Sequence, residues 1–347
     1  MGHFRELLGA TAKHPAMLFY LNNWLSVAQG DQSGQRSGNA AAGKAKGLNE
    51  NFAREVMELH TLGVDAGDTQ KDVTELARML TGWTFAPRGL RADGSFVFDS
   101  RRHDNGDKNW MGHQVAAGGV SEGEWALDIL ASHSATAHHI AFQLAQYFVA
   151  DNPAPALVTL LTRRFQETNG DIRAVLKTLF ASPQFWDPAV VGSKFKTPYQ
   201  YVVSGARAAD ISVVNVQPLL GTLAQMGMPL YGCQTPDGYK NTEAAWLNPD
   251  ALTRRINFAT ALAAGGLPFA RPYASDGSLD MNKKQRDGAA QPQQNDNNRS
   301  KGAPVDASRL LTTLGPSVSG WTRAAVADSQ PGLRAALVLG SPDFMRH

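Results

Sequence analysis

The stretch Leu48 to Phe85, LNENFAREVMELHTLGVDAGDTQKDVTELARMLTGWTF, decides the fold, because helix signals and buried-looking polar residues coincide in it. Its first half begins at Asn49, a residue type that caps helices. It runs to Gly63 with apolar residues at i, i+4 and i+7: Phe52, Val56 and Leu59. Its second half begins at Thr69, with Asp72 at the spacing of a capping box. The pattern predicts two helices joined by a short acidic loop.

Two polar residues fall on or beside the buried face of the first of these helices. At about 100° per residue, Glu55 and His60 point toward the apolar side. Arg54 and Glu58 instead form an i, i+4 pair on the far side. One interpretation is that Glu55 and His60 point into a shared polar site. The other is that Arg207, from a neighbouring helix, holds Glu55, and that His60 is a hydrogen-bonded core histidine.

The helical period breaks after Trp83, and residues 86–120 are rich in Gly and Asp around a short β-like run, Phe96-Val97-Phe98. We expect an irregular excursion with a small hairpin. Its His103 and Asp104 can be read as a metal-binding or acid–base pair. Because adjacent residues rarely face the same way, Asp104 can equally be read as the cap of a turn with Gly106.

The rest of the chain reads as helices that begin with a cap and a proline: Asn152-Pro153, Thr197-Pro198, Gln217-Pro218 and Asn248-Pro249. The predicted fold is all-α, a multi-helix bundle with one irregular loop or short β-hairpin excursion. The expected divisions are a helical core (1–273) with a mobile loop (30–47), a low-complexity linker or loop (274–304), and C-terminal helices packing on the core (305–347).

Composition excludes several classes of function. The 347 residues carry a net charge of +2, which gives no electrostatic footprint for nucleic acid. No run approaches the ~18 apolar residues of a membrane helix. The single cysteine forbids an internal disulfide. There is no dinucleotide or phosphate-loop motif, so no nucleotide cofactor is predicted, whereas a divalent metal stays open.

Beyond the first stretch, further segments resemble one family: HPAMLFYLNNW (14–24), HDNGDKNWMG (103–112), ATAHHIAFQLAQYFVAD (135–151), FKTPYQYVVSGARA (195–208), AWLNPDALTRRINFA (245–259) and LGSPDFMRH (339–347). With GLNENFAREVMELHTLGVDAGDTQKDVTELARMLTGWTF, the chain is similar to the bacterial domain-of-unknown-function 1800 family along nearly its whole length. Members of that family resemble one another without an assigned reaction.

The resemblance implies three properties. Family members usually carry more helical sequence and often an export signal before this point, so the chain resembles an N-terminally shortened member. Periplasmic or extracellular localisation is implied if the true start lies upstream. The family is commonly encoded beside an alkaline-phosphatase-like family, domain of unknown function 1501, which implies such a protein as a partner.

Two functions follow as expectations. The first is an exported hydrolase of envelope or extracellular-matrix material, with Glu55, His60, His103 and Asp104 as catalytic candidates. The second is a non-catalytic binding or export partner of the alkaline-phosphatase-like protein. Aromatic residues near arginines, Tyr239 and Trp246 among them, suggest a carbohydrate or anion cleft or simple packing. The candidate binding residues are Arg54, Glu58, Asp72, Trp83, Lys108, Lys196, Arg207, Trp246 and Arg254.

Overall fold

The computed structural model describes residues 2–28, 47–64, 66–86, 95–269 and 302–347. Contacts divide the chain into two compact units: a first unit of Met1–Phe148 and Asn152–Trp186, and a second unit of Val149–Asp151 and Asp187–His347. The structure is 55% helical, with 15 helices and two small antiparallel hairpins in its described part. The predicted mainly helical fold is therefore confirmed, and the bundle arrangement stays a prediction.

Parts of the predicted division cannot be compared with the structure. The predicted mobile loop and linker lie outside the described residues at 30–46 and 274–301. The boundaries predicted at residues 273 and 305 therefore stay predictions. Within the described ranges, no helix is both long enough and apolar enough to cross a membrane.

The described residues of the first unit form eight helices and four short strands: α1 (Phe4–Ala12), α2 (Pro15–Tyr20), α3 (Glu50–Met57), α4 (Gln70–Met79), β1 (Trp83–Phe85), β2 (Phe96–Phe98), β3 (Lys108–Trp110), β4 (His113–Val115), α5 (Val120–Ser132), α6 (Ser134–Phe148), α7 (Pro155–Glu167) and α8 (Ile172–Ala181). A short 3-10 turn, Asn23–Leu25, follows α2. The helices surround a core whose largest fully buried side chains include Trp83, Trp110, Phe52 and Phe165.

The two helices predicted from Leu48–Phe85 are α3 and α4. The Asn49 side chain accepts a hydrogen bond from the backbone of Phe52, and Thr69 forms the predicted capping box with Asp72. One feature differs from the prediction. Helix α3 continues into a π-helical turn, Glu58–Leu62, before Gly63 adopts a φ of +90°. The Thr61 hydroxyl donates to backbone carbonyls one turn earlier, which compensates carbonyls that the widened turn leaves short of partners.

The excursion after Trp83 contains two hairpins. Strand β1 pairs with β2 in an antiparallel register that sets Trp83 opposite Phe98, and β3 pairs with β4. The predicted β-like run is thus strand β2, while residues 87–94 of the excursion lie outside the described part. The Trp83 ring is fully buried and meets Phe96 edge to face at 5.2 Å between centroids. The hairpins bring the loop that carries His103 back onto the helices.

The described residues of the second unit form seven helices: α9 (Pro198–Ala208), α10 (Gln217–Gln225), α11 (Glu243–Trp246), α12 (Pro249–Ala263), α13 (Ala307–Leu314), α14 (Gly320–Ala327) and α15 (Arg334–Leu339). Its core joins α9 and α12 to the C-terminal helices through Tyr201, Phe258, Leu262, Val338 and Phe344. After α15 the chain returns to pair Arg346 with Phe195 in an isolated β-bridge.

The cap–proline starts were predicted correctly at two positions. Thr197 caps α9 with a full capping box, and Asn248 caps α12. At Gln217-Pro218 the helix already begins at Gln217, with Val216 as its cap. The start predicted at Asn152-Pro153 is wrong, because α7 begins at Pro155. A residue before proline is disfavoured in the helical conformation, so Ala154 stays outside the helix.

Candidate functional site

His103 is buried at the centre of a polar cluster in the first unit. Its Nε2 lies 3.1 Å from Glu122 Oε1, and its Nδ1 lies 2.9 Å from the carbonyl oxygen of Thr81. The Thr81 hydroxyl, 3.2 Å from Nδ1, donates its own proton to the carbonyl of Arg78. Both ring nitrogens therefore face oxygens that can accept a hydrogen bond from them.

Glu122, in the first turn of α5, is the carboxylate that holds this cluster together. Its Oε1 also accepts hydrogen bonds from the backbone of Gly118 (2.7 Å) and Gly119 (3.0 Å), and its Oε2 lies 2.6 Å from Lys108 Nζ. Burial opposes ionisation of the carboxyl, but the bonds from His103 and the backbone and the contact with Lys108 outweigh it and lower the pKa of Glu122 to about 2. Glu122 is thus an ionised, buried anion.

A second layer of charges joins the cluster through Asp104. Arg78 grips the Asp104 carboxylate with two hydrogen bonds, of 2.9 and 3.0 Å, and donates a third to Glu75 at 2.8 Å. Lys108 donates to the backbone carbonyl of Asp104. Burial raises the pKa of Asp104, but the bonds from Arg78 and from the backbone of Gly106 together lower it.

The charged groups of the cluster are paired. Arg78 and Lys108 contact the carboxylates of Glu75, Asp104 and Glu122, and His103 also contacts Glu122. A buried charge that is both paired and hydrogen-bonded can be accommodated, whereas an unpaired one is costly. Both His103 nitrogens are occupied by contacts within the protein, so the geometry is that of a scaffold element.

The catalytic candidates therefore differ in the residues that they contact. The carboxylate at hydrogen-bond distance from His103 is Glu122, which is not among the predicted site residues. Asp104 accepts from the Gly106 backbone at 3.0 Å, as the turn interpretation predicts. Glu55 is half-buried on α3, and its predicted pairing with Arg207 joins the two units and stays a prediction. The catalytic roles assigned to these residues also stay predictions.

His60 lies in the π-helical turn and differs from His103 in its bonding. Its Nδ1 is buried and has no hydrogen-bond partner in the described structure. Burial lowers the pKa of His60, so the ring is neutral and offers a lone pair. The alternative interpretation made His60 a hydrogen-bonded core histidine. Its Nδ1 does not form such a hydrogen bond with any described residue. Nearby, His139 Nε2 lies 3.3 Å from the carbonyl of Leu59, in the same turn.

The remaining binding candidates of the first unit have structural contacts. Arg54 pairs with Glu58 at 2.8 Å and donates to Gln70 at 2.6 Å, across the two helices of the motif. Asp72 closes the α4 capping box and accepts from the Met111 backbone at 2.8 Å. Trp83 is a core residue. These contacts fasten α4 to α3 and to the second hairpin.

The binding candidates of the second unit differ from one another in exposure and in contacts. Arg207 is exposed on α9, and Arg254 pairs with Asp250 at 2.7 Å along an exposed face of α12. Trp246 is half-buried, donates to the Lys240 backbone at 2.7 Å and packs against Tyr239. Lys196 is buried. The aromatic pair agrees with the packing interpretation of this region.

Glu122 was missed by the sequence analysis although two signals pointed to it. It stands three residues after Gly119, the N-cap of α5, where a glutamate side chain can reach back to the cap backbone. It also shares a helical face with the buried residues Ala126 and Leu130. Together these signals predict a buried, hydrogen-bonded carboxylate. They do not reveal that His103 and Lys108 are its partners, since these arrive from the hairpin loop.

Within the described ranges, no group of three or more His, Cys, Asp and Glu side chains is arranged to hold a metal ion. A family model described as "Protein of unknown function (DUF1800)" matches residues 1–346. A search of curated proteins and a search of solved structures each found no match.

Proposed function

Because the chain belongs to the DUF1800 family of proteins of unknown function, we propose a function from its surface: a non-catalytic binding protein that docks a partner protein through the first unit. The observation that carries this proposal is a continuous aromatic surface on that unit. The surface, called the aromatic surface below, consists of Tyr147, Phe148, Phe180, Phe185 and Trp186.

The five rings of the aromatic surface touch in sequence. Centroid distances are 4.8 Å from Tyr147 to Phe148, 5.3 Å from Phe148 to Phe180, 5.1 Å from Phe180 to Phe185 and 5.1 Å from Phe185 to Trp186. All four contacts are edge to face, a favourable arrangement for aromatic pairs. The rings come from the end of α6 and from the end of α8 and the turn after it.

The aromatic surface is exposed to solvent instead of forming part of the core. Trp186 is 68% exposed, and Tyr147, Phe148 and Phe180 are each more than a third exposed. The Trp186 ring is held in place, because its indole Nε1 donates to the carbonyl of Phe180 at 2.8 Å. Contiguous exposed apolar area marks binding surfaces, and Trp and Tyr are the residues that most often dominate their energetics. A pre-ordered indole loses little entropy on binding.

The polar residues of the sequence motifs support the same proposal. In the first unit the charges of the His103 cluster are paired with one another, and Arg54 with Glu58, so these groups serve to hold the helices and hairpins in place. The proposal also specifies the class of the partner protein. The resemblance described above implies an alkaline-phosphatase-like protein, and such a protein is the partner we propose for the aromatic surface.

We expect Trp186→Ala to weaken the complex with that partner at least about tenfold, since truncating a central tryptophan removes a large apolar contact. Both full-length proteins are mixed, and the dissociation constant is measured by isothermal titration calorimetry. Trp321→Ala is the matched control, because Trp321 is also a strongly exposed tryptophan (75%), on α14 of the second unit. An unchanged dissociation constant in Trp186→Ala, or equal weakening by both variants, would contradict the proposed surface.

A hydrolase of envelope material is a second candidate, favoured by the neutral His60, whose buried Nδ1 has no hydrogen-bond partner among the described residues. If His60 is its general base, His60→Gln loses at least about a hundredfold in hydrolytic rate, the usual contribution of a positioned base. Isolated envelope material is incubated with the full-length protein, and released products are quantified. Trp186→Ala is the control expected to keep the activity. Equal product release by wild type and His60→Gln removes this candidate.

A further inference from the structure

Two cations in the core of the second unit have no carboxylate partner among the described residues. Arg255, on α12, is 1% exposed, and Lys196, just before α9, is 9% exposed. Lys196 Nζ donates to the carbonyl of Phe344 at 2.7 Å and lies 4.1 Å from the centre of the Phe344 ring. Arg255 Nη2 donates to the Lys196 carbonyl at 2.6 Å. Arg255 Nη1 is buried, and no described residue accepts a hydrogen bond from it.

The neighbouring charges are already matched. Lys194 pairs with Asp151, and Arg346 makes two hydrogen bonds to the Glu243 carboxylate. Among the described residues, the contacts of Lys196 and Arg255 are with backbone carbonyls and aromatic rings. Tyr201 packs against the Arg255 guanidinium at 4.8 Å and keeps its proton, because burial raises the pKa of its hydroxyl. His347 follows Arg346. Partial desolvation of its ring and the charges of Lys196 and Lys194 lower the pKa of His347.

Burying two adjacent like charges without a counter-charge is unfavourable. Burial and the nearby Arg255 lower the pKa of Lys196 to about 8, and burial lowers the pKa of Arg255 to about 10. Aromatic faces and carbonyls solvate these cations partly but carry no net negative charge. The contrast with the first unit is direct, since the Arg78 and Lys108 side chains of the His103 cluster contact carboxylates. An anion from outside the chain would supply the missing charge.

We propose that Lys196 and Arg255 bind a phosphate group. A phosphate monoester or inorganic phosphate carries a charge of about −1.5 to −2 at pH 7, which matches two uncompensated cations, whereas a carboxylate would leave one of them unpaired. The unused Arg255 Nη1 is a guanidinium donor, and guanidinium groups suit the oxygens of phosphate. This site lies in the second unit and does not rest on the proposed partner surface.

The last residues of the chain cover the site. The backbone of Lys196 donates to Met345 (2.8 Å), and that of His347 donates to Lys194 (3.0 Å). With the Lys196 Nζ bond to Phe344, these contacts fasten Phe344–His347 to residues 194–196. Lys196 Nζ uses one of its three N–H donors on the Phe344 carbonyl, so the other two are available to phosphate.

The test is isothermal titration of the full-length protein with inorganic phosphate and, separately, with glycerol 3-phosphate, each up to about 10 mM. We expect one saturable site and a thermal midpoint that rises with ligand concentration, because a ligand bound only by the folded state stabilises it. Tighter binding of the ester indicates a phosphorylated metabolite or headgroup as the ligand, and equal binding indicates free phosphate. No saturable binding of either compound overturns the proposal.

Lys196→Met identifies the site. It retains the apolar volume of the side chain and is expected to weaken phosphate binding at least tenfold. Wild-type affinity is expected to fall above pH 8, as Lys196 loses its proton, and the variant should lack this fall. Lys240→Met is the matched control, since Lys240 is an exposed lysine of the same unit. Unchanged affinity in Lys196→Met would overturn the assignment, and titration of wild type alone remains decisive if the variant does not fold.

Discussion

Replacing Glu122 by glutamine is expected to lower the free energy of unfolding by about 3–5 kcal/mol, the cost of removing one partner from a buried ion pair. Glu122 is 2% exposed and contacts the Lys108 ammonium and the His103 ring. Glutamine keeps the shape but has no charge. Its amide hydrogens also meet the N–H groups of one of the former partners, so at least one buried donor loses its acceptor.

The measurement is urea unfolding of the full-length protein, followed by hydrogen-exchange protection of α5 so that the first unit is monitored directly. Glu124→Gln is the matched control on the same helix. Glu124 pairs with Arg5 and Lys13 near the surface, with a side chain 33% exposed, and is expected to cost no more than about 1 kcal/mol. If both variants lose the same amount, the buried cluster is not the element that stabilises this unit.

The same residue makes the stability of the protein depend on pH. The pKa of Glu122 is about 2 in the folded protein, below its ordinary value of 4.5. Its contribution is therefore complete above pH 4.5 and is lost as the pH falls through 2, because the unfolded chain takes up the proton first. The stability gap between wild type and Glu122→Gln should narrow over this range. A gap independent of pH would show that Glu122 is not ionised in the folded state.

The features that could be predicted from the sequence are those that depend only on residues close together along the chain. The caps at Asn49, Thr69, Thr197 and Asn248 each involve a side chain and a backbone group within three residues, so the spacing alone reveals them. The strand Phe96–Phe98 was visible as a β-like run for the same reason. The mainly helical fold follows from many such signals together.

Contacts between distant segments could not be predicted in the same way. His103 was among the catalytic candidates, and that role stays a prediction, whereas its partner Glu122 belongs to a helix that follows the second hairpin. The helical face of Glu55 suggested burial but did not identify the residue that contacts it. The direction in which a side chain points from its helix predicts whether that side chain is buried. It does not predict which residue of another segment contacts it. The pairing of Arg78 with Asp104 was missed for this reason too, since it joins α4 to a loop 26 residues later.

Replacing Gly123 by alanine is expected to destabilise the first unit by about 2–3 kcal/mol, the upper part of the range for an overpacked core. In an open helix the same change stabilises by roughly 0.5–1 kcal/mol. At Gly123, however, an added Cβ would lie 2.4 Å from the Trp83 ring and 3.1 Å from Leu80. Trp83 is fully buried, so neither the ring nor helix α5 can move without disturbing the core.

Two further variants separate the steric cause from a general effect of the substitution. For Gly221→Ala, on α10, no described atom beyond the neighbouring residues and backbone of its own helix lies within 4 Å of the added Cβ, and the variant is expected to raise stability slightly. Trp83→Phe combined with Gly123→Ala should recover part of the loss, because a smaller ring vacates the space that Cβ needs. Stability is measured by urea unfolding with hydrogen exchange of α5 and α10. A stabilised Gly123→Ala protein would show that α5 lies farther from Trp83 than the structure places it.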